Sequence, residues 1–334
     1  MRAEVRELDG LALAEIPVQV VKASLPVVFR GAISHWPLDE LGNAEGVQAF
    51  FQRFDSGRPI VSYRKPVAER PDFGYAEGCE ALSFTKQPLS LGAFFEGAQA
   101  IAKGSAEQSI FAPSVHLDTH LPGLRSALCD ELPYAPDALI QAWMGGPSLV
   151  PAHFDSQHNF ACCVSGRRRF TLLEPEQLEN LYVGPMDLTP AGQPISLVDP
   201  YAPDLAQHPR YASALQAAQS VELAPGDVLY IPPMWWHQVE GLAQFNLMIN
   251  YWWPSLGAYT GDAMYALYHA MLTIKDLPDD ERNAWRNLFK HYVFDAPSDG
   301  RFEHIPAAAR GRLDKLDAAR ARTLRAQILR ALNV

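Results

Sequence analysis

Between residues 138 and 253 the chain is a succession of short apolar segments broken by turn residues, without long helical stretches between them. The segments are Ala138 to Met144, Asn159 to Val164, Arg168 to Leu173, Val228 to Ile231 and Phe245 to Trp253. Each is short, rich in aromatic and branched side chains, and bounded by Gly, Pro, Asp or Ser, which reads as a strand. Short strands that lack crossover helices bury themselves as an antiparallel sandwich or barrel. The expected fold class is therefore mainly β with flanking helices.

The flanks read differently. Residues 1–135 mix apolar runs such as Leu25-Pro-Val-Val-Phe29 with helix-like stretches at 43–54 and 90–103, an α+β flanking region. The β core is placed at 136–254, with a Pro-rich insertion at 184–219 that ends in a helical pattern from Tyr211 and is long enough to cover a site. After Pro254 the chain turns helical: Met264, Leu267, Tyr268 and Met271 fall at i, i+3, i+4 and i+7, and Pro278-Asp-Asp-Glu281 supplies an acid-rich helix start. A last helix over 317–332 places Leu324, Ile328 and Leu332 on one stripe. A helical region of this kind, 255–334, packs on its own barrel or pairs with a second copy, and the expectation here is a homodimer through the C-terminal helices.

A formal charge of -10 argues against a partner bound through its phosphate backbone, so nucleic acid is not expected. No apolar run reaches the roughly 18 residues of a membrane span. Cys79, Cys129, Cys162 and Cys163 show no metal or redox spacing and are expected as buried thiols of a cytoplasmic protein.

The chemistry is carried by His153 and Asp155 in Pro-Ala-His-Phe-Asp and by His237, far downstream in Gly-Asp-Val-Leu-Tyr-Ile-Pro-Pro-Met-Trp-Trp-His. Residues i and i+2 of a strand point to one face, so the first two can hold one metal, with the third ligand coming from another strand. Two imidazoles and a carboxylate form the open facial set of a non-haem Fe(II) oxygenase. H-x-D alone is weak, because Val115-His116-Leu-Asp118-Thr-His120 offers a second copy that would put three candidates on one strand face. The His153 site has better company. Gly226-Asp227 is a turn into the strand before His237, Pro232-Pro233 ends that strand, and Trp235 and Trp236 are either core or a shield for the metal.

In Gly166-Arg-Arg-Arg-Phe-Thr-Leu172, alternation sends Arg168 inward with Phe170 and Leu172. An inward guanidinium demands a carboxylate, either in the protein or on an acidic ligand. Asn159 and Asn250 are polar residues inside apolar strands, either structural or orienting a ligand beside the metal.

These residues carry a resemblance. Pro151-Ala-His153-Phe-Asp155 with Asn159, Gly166-x-Arg168-Arg169, Leu178-Glu-Asn-Leu-Tyr182, Asp199-Pro-x-x-Pro-Asp204, Gly226-Asp-Val-Leu-Tyr-Ile-Pro232, Trp235-Trp-His237, Asn250-Tyr-Trp252 and Pro26-Val-Val-Phe-Arg-Gly-Ala-Ile-Ser-His-Trp-Pro37 occur in order. The chain is similar to the JmjC and cupin-like 2-oxoglutarate oxygenases, above all to their asparaginyl hydroxylase branch that acts on hypoxia-inducible factor. The resemblance implies a double-stranded β-helix (jelly-roll) core, Fe(II) on His153, Asp155 and His237, and 2-oxoglutarate as co-substrate with its far carboxylate on Arg168. It implies hydroxylation of a polypeptide side chain with release of succinate and CO2, and dimerisation through the C-terminal helices. Asn159 and Asn250 would orient the ligands, while Trp235, Tyr182 and the insertion would shape substrate access. Three positions depart from the family: Arg168 stands for a lysine, Val150 for a threonine and Phe111 for a tyrosine, so two hydroxyl donors to the co-substrate are missing. A bidentate arginine can replace a lysine plus one hydroxyl in donor count. The alternatives are an oxygenase of small molecules, a metal- or ligand-binding module without turnover, and an interaction protein that acts through its helical region.

Overall fold

The chain divides into two units, Met1–Trp253 and Pro254–Val334, and among the described residues thirteen strands build the first. The structure, a computed structural model, describes residues 4–295 and 300–333. The strands are β1 (Arg6–Asp9), β2 (Val27–Arg30), β3 (Ile60–Pro66), β4 (Thr85–Leu89), β5 (Gln108–His116), β6 (Leu139–Gly145) and β7 (Ser148–Phe154). They continue as β8 (His158–Ser165), β9 (Arg168–Leu173), β10 (Gln219–Leu223), β11 (Val228–Ile231), β12 (Trp236–Gly241) and β13 (Asn246–Trp253). A nine-stranded sheet runs β1-β2-β11-β8-β13-β6-β5-β3-β4, and a four-stranded sheet runs β10-β9-β12-β7. Pairing is antiparallel except between β1 and β2.

Alternation along the strands feeds two separate cores. On β13, Leu247, Ile249 and Tyr251 enter the large core behind the major sheet, which also takes Val47 and Phe51 from helix Ala44–Phe51 and Phe94 and Phe95 from helix Leu91–Ala102. Between the sheets lies a second core, where Ala161, Cys163, Leu229 and Met248 of the major sheet meet Phe170, Leu172, Val221 and Val239 of the minor one. Two antiparallel sheets packed face to face over a shared apolar layer make the jelly-roll sandwich that the resemblance implied.

The N-terminal residues are less of a flank than their pattern suggested. Strands β1 to β5 supply five of the nine strands in the major sheet, so residues before 136 are built into the same wall as the core strands. Local pattern cannot reveal this, because β2 joins β11 across nearly the whole first unit. Cys162 and Cys163 are buried as expected, whereas Cys79 and Cys129 are only half-buried; all four are free thiols.

The β8–β9 hairpin sets the register of Arg168. Gly166 sits at φ +76°, where an added Cβ would strike Phe245 O and the Asn246 side chain. Glycine is required there on both counts. In the second unit, helices span Met264–Thr273, Asp279–Phe289 and Ala318–Leu332, the last capped by Asp317, whose carboxylate accepts from the Arg320 N–H at 2.8 Å. Among the described residues, no helix is long and apolar enough to cross a membrane.

Candidate metal centre

β7 and β12 are antiparallel neighbours, and their register pairs His153 directly with His237. The ladder slips between His237 and Val239, a bulge that re-aims the side chain at the strand's entrance. Each imidazole is fixed by a carbonyl two residues behind it: His153 Nδ1 donates to Pro151 O at 2.9 Å and His237 Nδ1 donates to Trp235 O at 3.0 Å. A carbonyl only accepts, so both Nδ1 atoms carry the hydrogen and both Nε2 atoms present a lone pair.

Asp155 lies one residue beyond β7. Its carbonyl accepts the N–H of Met234 at 2.7 Å, and Met234 adopts φ 68° to make this bond. That contact ties the Pro232–Trp235 turn to the H-x-D segment. Asp155 Oδ2 stands 3.5 Å from His237 Nε2 and is buried without a hydrogen-bond partner. The ligand atoms of His153, Asp155 and His237 all lie within 4.8 Å of one another, and no other such group occurs among the described residues.

Burial, helped by the neighbouring His237, pulls His153 down to about 4. Burial acts on Asp155 in the opposite sense, but the two imidazoles outweigh it and leave the carboxyl below its ordinary value. Two imidazole Nε2 lone pairs and an orphaned carboxylate oxygen fit a divalent cation such as Fe(II).

Beside this centre, Arg168 is 1 % exposed and Phe170 and Leu172 are buried with it, while Arg167 and Arg169 face outward and pair with Glu222. Arg168 Nη2 donates to Trp143 O at 2.8 Å, its Nε has no partner, and among the described residues no carboxylate pairs with it. Burial pulls the guanidinium down to about 10, still charged at neutral pH. The sequence left open a protein acid or an acidic ligand, and no protein acid is at hand. Arg168, His153, Asp155 and His237 line one narrow cavity together with Phe111, Val150 and Asn159. Asn250 stands behind it and donates from Nδ2 to Asn159 Oδ1 at 2.7 Å.

A larger cleft shares Trp143, Asp155 and Trp252 with that cavity. Its outer walls include Lys86, His120, Gln157 and, from the insertion, Ala191 and Gln193. Tyr63 Oη and Lys86 Nζ both donate to Pro190 O at 2.8 Å, and Tyr75 Oη donates to Pro185 O and Leu188 O. The insertion thus reaches the cleft through 185–193.

Two residues expected at the entrance lie elsewhere. Trp235 is buried in the core between the sheets, because the turn at Met234 swings its ring inward. Tyr182 packs against His208 and under the Arg210 guanidinium, and its hydroxyl accepts the Arg210 N–H, which leaves it off the walls of both cavities. The second H-x-D does not gather ligands: β5 ends at His116 and Leu117–His120 is a helical turn, so the three side chains share no strand face. Sequence reading missed Trp143 and Trp252, which stand between cavity and cleft with ring centroids 5.9 Å apart. The available signal was their even spacing from Gln141 on β6 and from Asn250 on β13, which puts each on the cavity face.

Residues 14–258 match the family described as a cupin-like domain. Among curated proteins, Jumonji C domain-containing protein 5 of Drosophila melanogaster is 26% identical over 75% of this chain and 60% of its own length. Lysine-specific demethylase 8 of Xenopus tropicalis is 29% identical over 68% of this chain and 48% of its own length. The bifunctional peptidase and (3S)-lysyl hydroxylase JMJD7 of Homo sapiens is 27% identical over 68% of this chain and 77% of its own. The first two relatives therefore extend well beyond the part that this chain spans.

Proposed function

The chain is a member of the cupin-like domain family, and on that premise we propose that it is an Fe(II)- and 2-oxoglutarate-dependent dioxygenase that hydroxylates a protein or peptide side chain, with release of succinate and CO2. JmjC relatives in the comparison include a hydroxylase and a demethylase by name. The observation that carries the reading is the orphaned Arg168 in the same cavity as the triad. A buried guanidinium without a protein carboxylate asks for an anionic ligand, and a ligand with one acid on Arg168 and another at the metal is a dicarboxylate.

When bound, Fe(II) supplies the redox chemistry that couples oxidative decarboxylation of 2-oxoglutarate to hydroxylation. The chain's residues do the rest. His153 and His237 offer Nε2 atoms already held in the required tautomer, and Asp155 offers its unpaired oxygen. Arg168 fixes the far end of the co-substrate, and Asn250 holds Asn159 at the cavity wall. Phe111, Trp143 and Val150 exclude water from that end.

A cleft that extends from Asp155 past the metal cavity to Ala191 and Gln193 of the insertion, together with relatives named as a lysyl hydroxylase and a lysine-specific demethylase, supports a polypeptide substrate. The second unit supports pairing with a second copy: no side chain of helix Met264–Thr273 is buried, and Tyr265, Leu272 and Phe294 are 73%, 78% and 75% exposed. Light scattering of the purified chain should give twice the chain mass.

The test of the activity is anaerobic addition of Fe(II) and 2-oxoglutarate. A visible absorption band should form, succinate should appear when oxygen is admitted, and both should vanish in His153→Ala and in Arg168→Met. No band and no succinate from the wild-type protein would exclude the oxygenase reading. A band that survives in Asp155→Ala and His237→Ala would mean that the ligands lie elsewhere.

A further inference from the structure

Trp143 Nε1 is buried and has no hydrogen-bond partner. An indole N–H only donates, so only an acceptor brought from outside can satisfy it, and a buried donor left unmade costs free energy that a native fold rarely accepts without use. Its surroundings define the acceptor. Trp143 lines the metal cavity with Phe111 and Val150, neither of which carries a donor, and with Arg168. The Trp143 carbonyl accepts Arg168 Nη2 at 2.8 Å, so residue 143 flanks the guanidinium with its backbone and brings its ring to the same cavity.

The ring is held in place. It lies opposite Met248 in the β6–β13 register and packs against Phe111 and Trp252, with centroids 6.3 and 5.9 Å away. Trp252, whose indole N–H is also unpartnered, stands opposite Asn159 and Leu139 instead, toward the metal end and the cleft. Of the two indoles, Trp143 belongs to the guanidinium end.

We infer that Trp143 binds the co-substrate, its Nε1–H donating to the carboxylate of 2-oxoglutarate that Arg168 holds, in the place of the hydroxyls absent at positions 111 and 150. This rests on the function proposed above. Trp143 is the donor that lets a cavity walled by phenylalanine and valine hold a dicarboxylate.

The test is anaerobic calorimetry of the metal-loaded protein with two ligands, 2-oxoglutarate and 2-oxopentanoate, which has a methyl group in place of the far carboxylate. Trp143→Phe keeps a ring and removes the donor. It should weaken 2-oxoglutarate about tenfold, the factor of a hydrogen bond to a charged acceptor, and leave 2-oxopentanoate within about twofold. Trp285→Phe, at a partly exposed indole on helix Asp279–Phe289 of the second unit, should leave both within about twofold. Equal weakening of both ligands, or none, overturns the inference. In the wild-type protein the Trp143 indole N–H proton resonance should move downfield with 2-oxoglutarate and not with 2-oxopentanoate, a reading that stands even where Trp143→Phe folds poorly. Absence of 2-oxoglutarate binding by the wild-type protein overturns the proposed function itself, whereas wild-type binding with an unchanged Trp143→Phe overturns this inference alone.

Discussion

His153 and His237 face each other across β7 and β12 with ring centroids 4.3 Å apart. Burial, with His237 beside it, holds His153 at about 4 in the fold against 6.5 when free. Between those values the unfolded chain holds a proton that the folded chain does not. Stability of the metal-free protein therefore rises with pH from about 4 to about 6.5 and is lost as pH falls through that window, by up to about 3 kcal/mol. Asp155 adds a loss of the same sign at lower pH, since its folded value lies below its free one. Urea unfolding of the metal-free protein across this range should show the slope, and His153→Gln should flatten it. Equal slopes in the two proteins would remove His153 as the cause.

Arg168 should trade stability for ligand binding. With Nε unpartnered and no carboxylate nearby, its charge is buried at a cost that only the ligand relieves. Arg168→Met should stabilise the ligand-free protein by about 1–3 kcal/mol in denaturant unfolding. The same variant should weaken 2-oxoglutarate by about 100-fold or more in anaerobic titration. Destabilisation on its own would identify Arg168 as a structural member of the sandwich rather than a ligand group.

The missing hydroxyls can be restored one at a time. Val150 lines the cavity and is only half-buried, so Val150→Thr should fit without strain and tighten 2-oxoglutarate by about threefold or more. Phe111 is 2 % exposed and sits among Tyr63, Phe73 and Trp143. There Phe111→Tyr gains only if its hydroxyl reaches the ligand, and should otherwise destabilise the free protein. Calorimetry on the two variants, with 2-oxopentanoate as the control, separates these effects. Equal gains for both ligands would show that neither hydroxyl meets the far carboxylate.

What the sequence made legible follows the reach of each signal. The pairing of His153 with Asp155 and the inward face of Arg168 followed from period-two alternation, which carries one residue past the end of β7 to Asp155, while His237 came from its motif on another strand. Placing β2 beside β11 was beyond it, because pairing partners far apart in sequence leave no local trace. Trp235 was open to two readings, core and, through the resemblance, substrate access; it is core, behind a turn at Met234 whose positive φ nothing in Pro-Pro-Met-Trp requires. Trp143 was legible in principle, two residues after Gln141 on β6. Its orphaned N–H was not, since satisfaction is a property of the surroundings.

Pro190 should act as the latch of the cleft's outer wall. Its carbonyl accepts from both Tyr63 Oη and Lys86 Nζ at 2.8 Å, and the same segment places Ala191 and Gln193 on the cleft. Tyr63 is buried among Phe73, Phe84 and Phe111, so Tyr63→Phe removes one hydrogen bond and keeps the packing. Combined with Lys86→Met, it should free 185–193 from β3 and β4 while leaving β7 and β12 untouched. Proteolytic nicking within 185–197 should then rise several-fold, because local opening free energies govern cleavage of exposed loops. Binding of metal and 2-oxoglutarate should remain within about twofold, since neither side chain lines the metal cavity. The apparent KM for a peptide substrate should change more than kcat, as loss of a wall contact removes ground-state and transition-state binding alike. An unchanged nicking rate would show that the segment is held by its bonds to Tyr75 and by the Val183–Ser196 bridge instead.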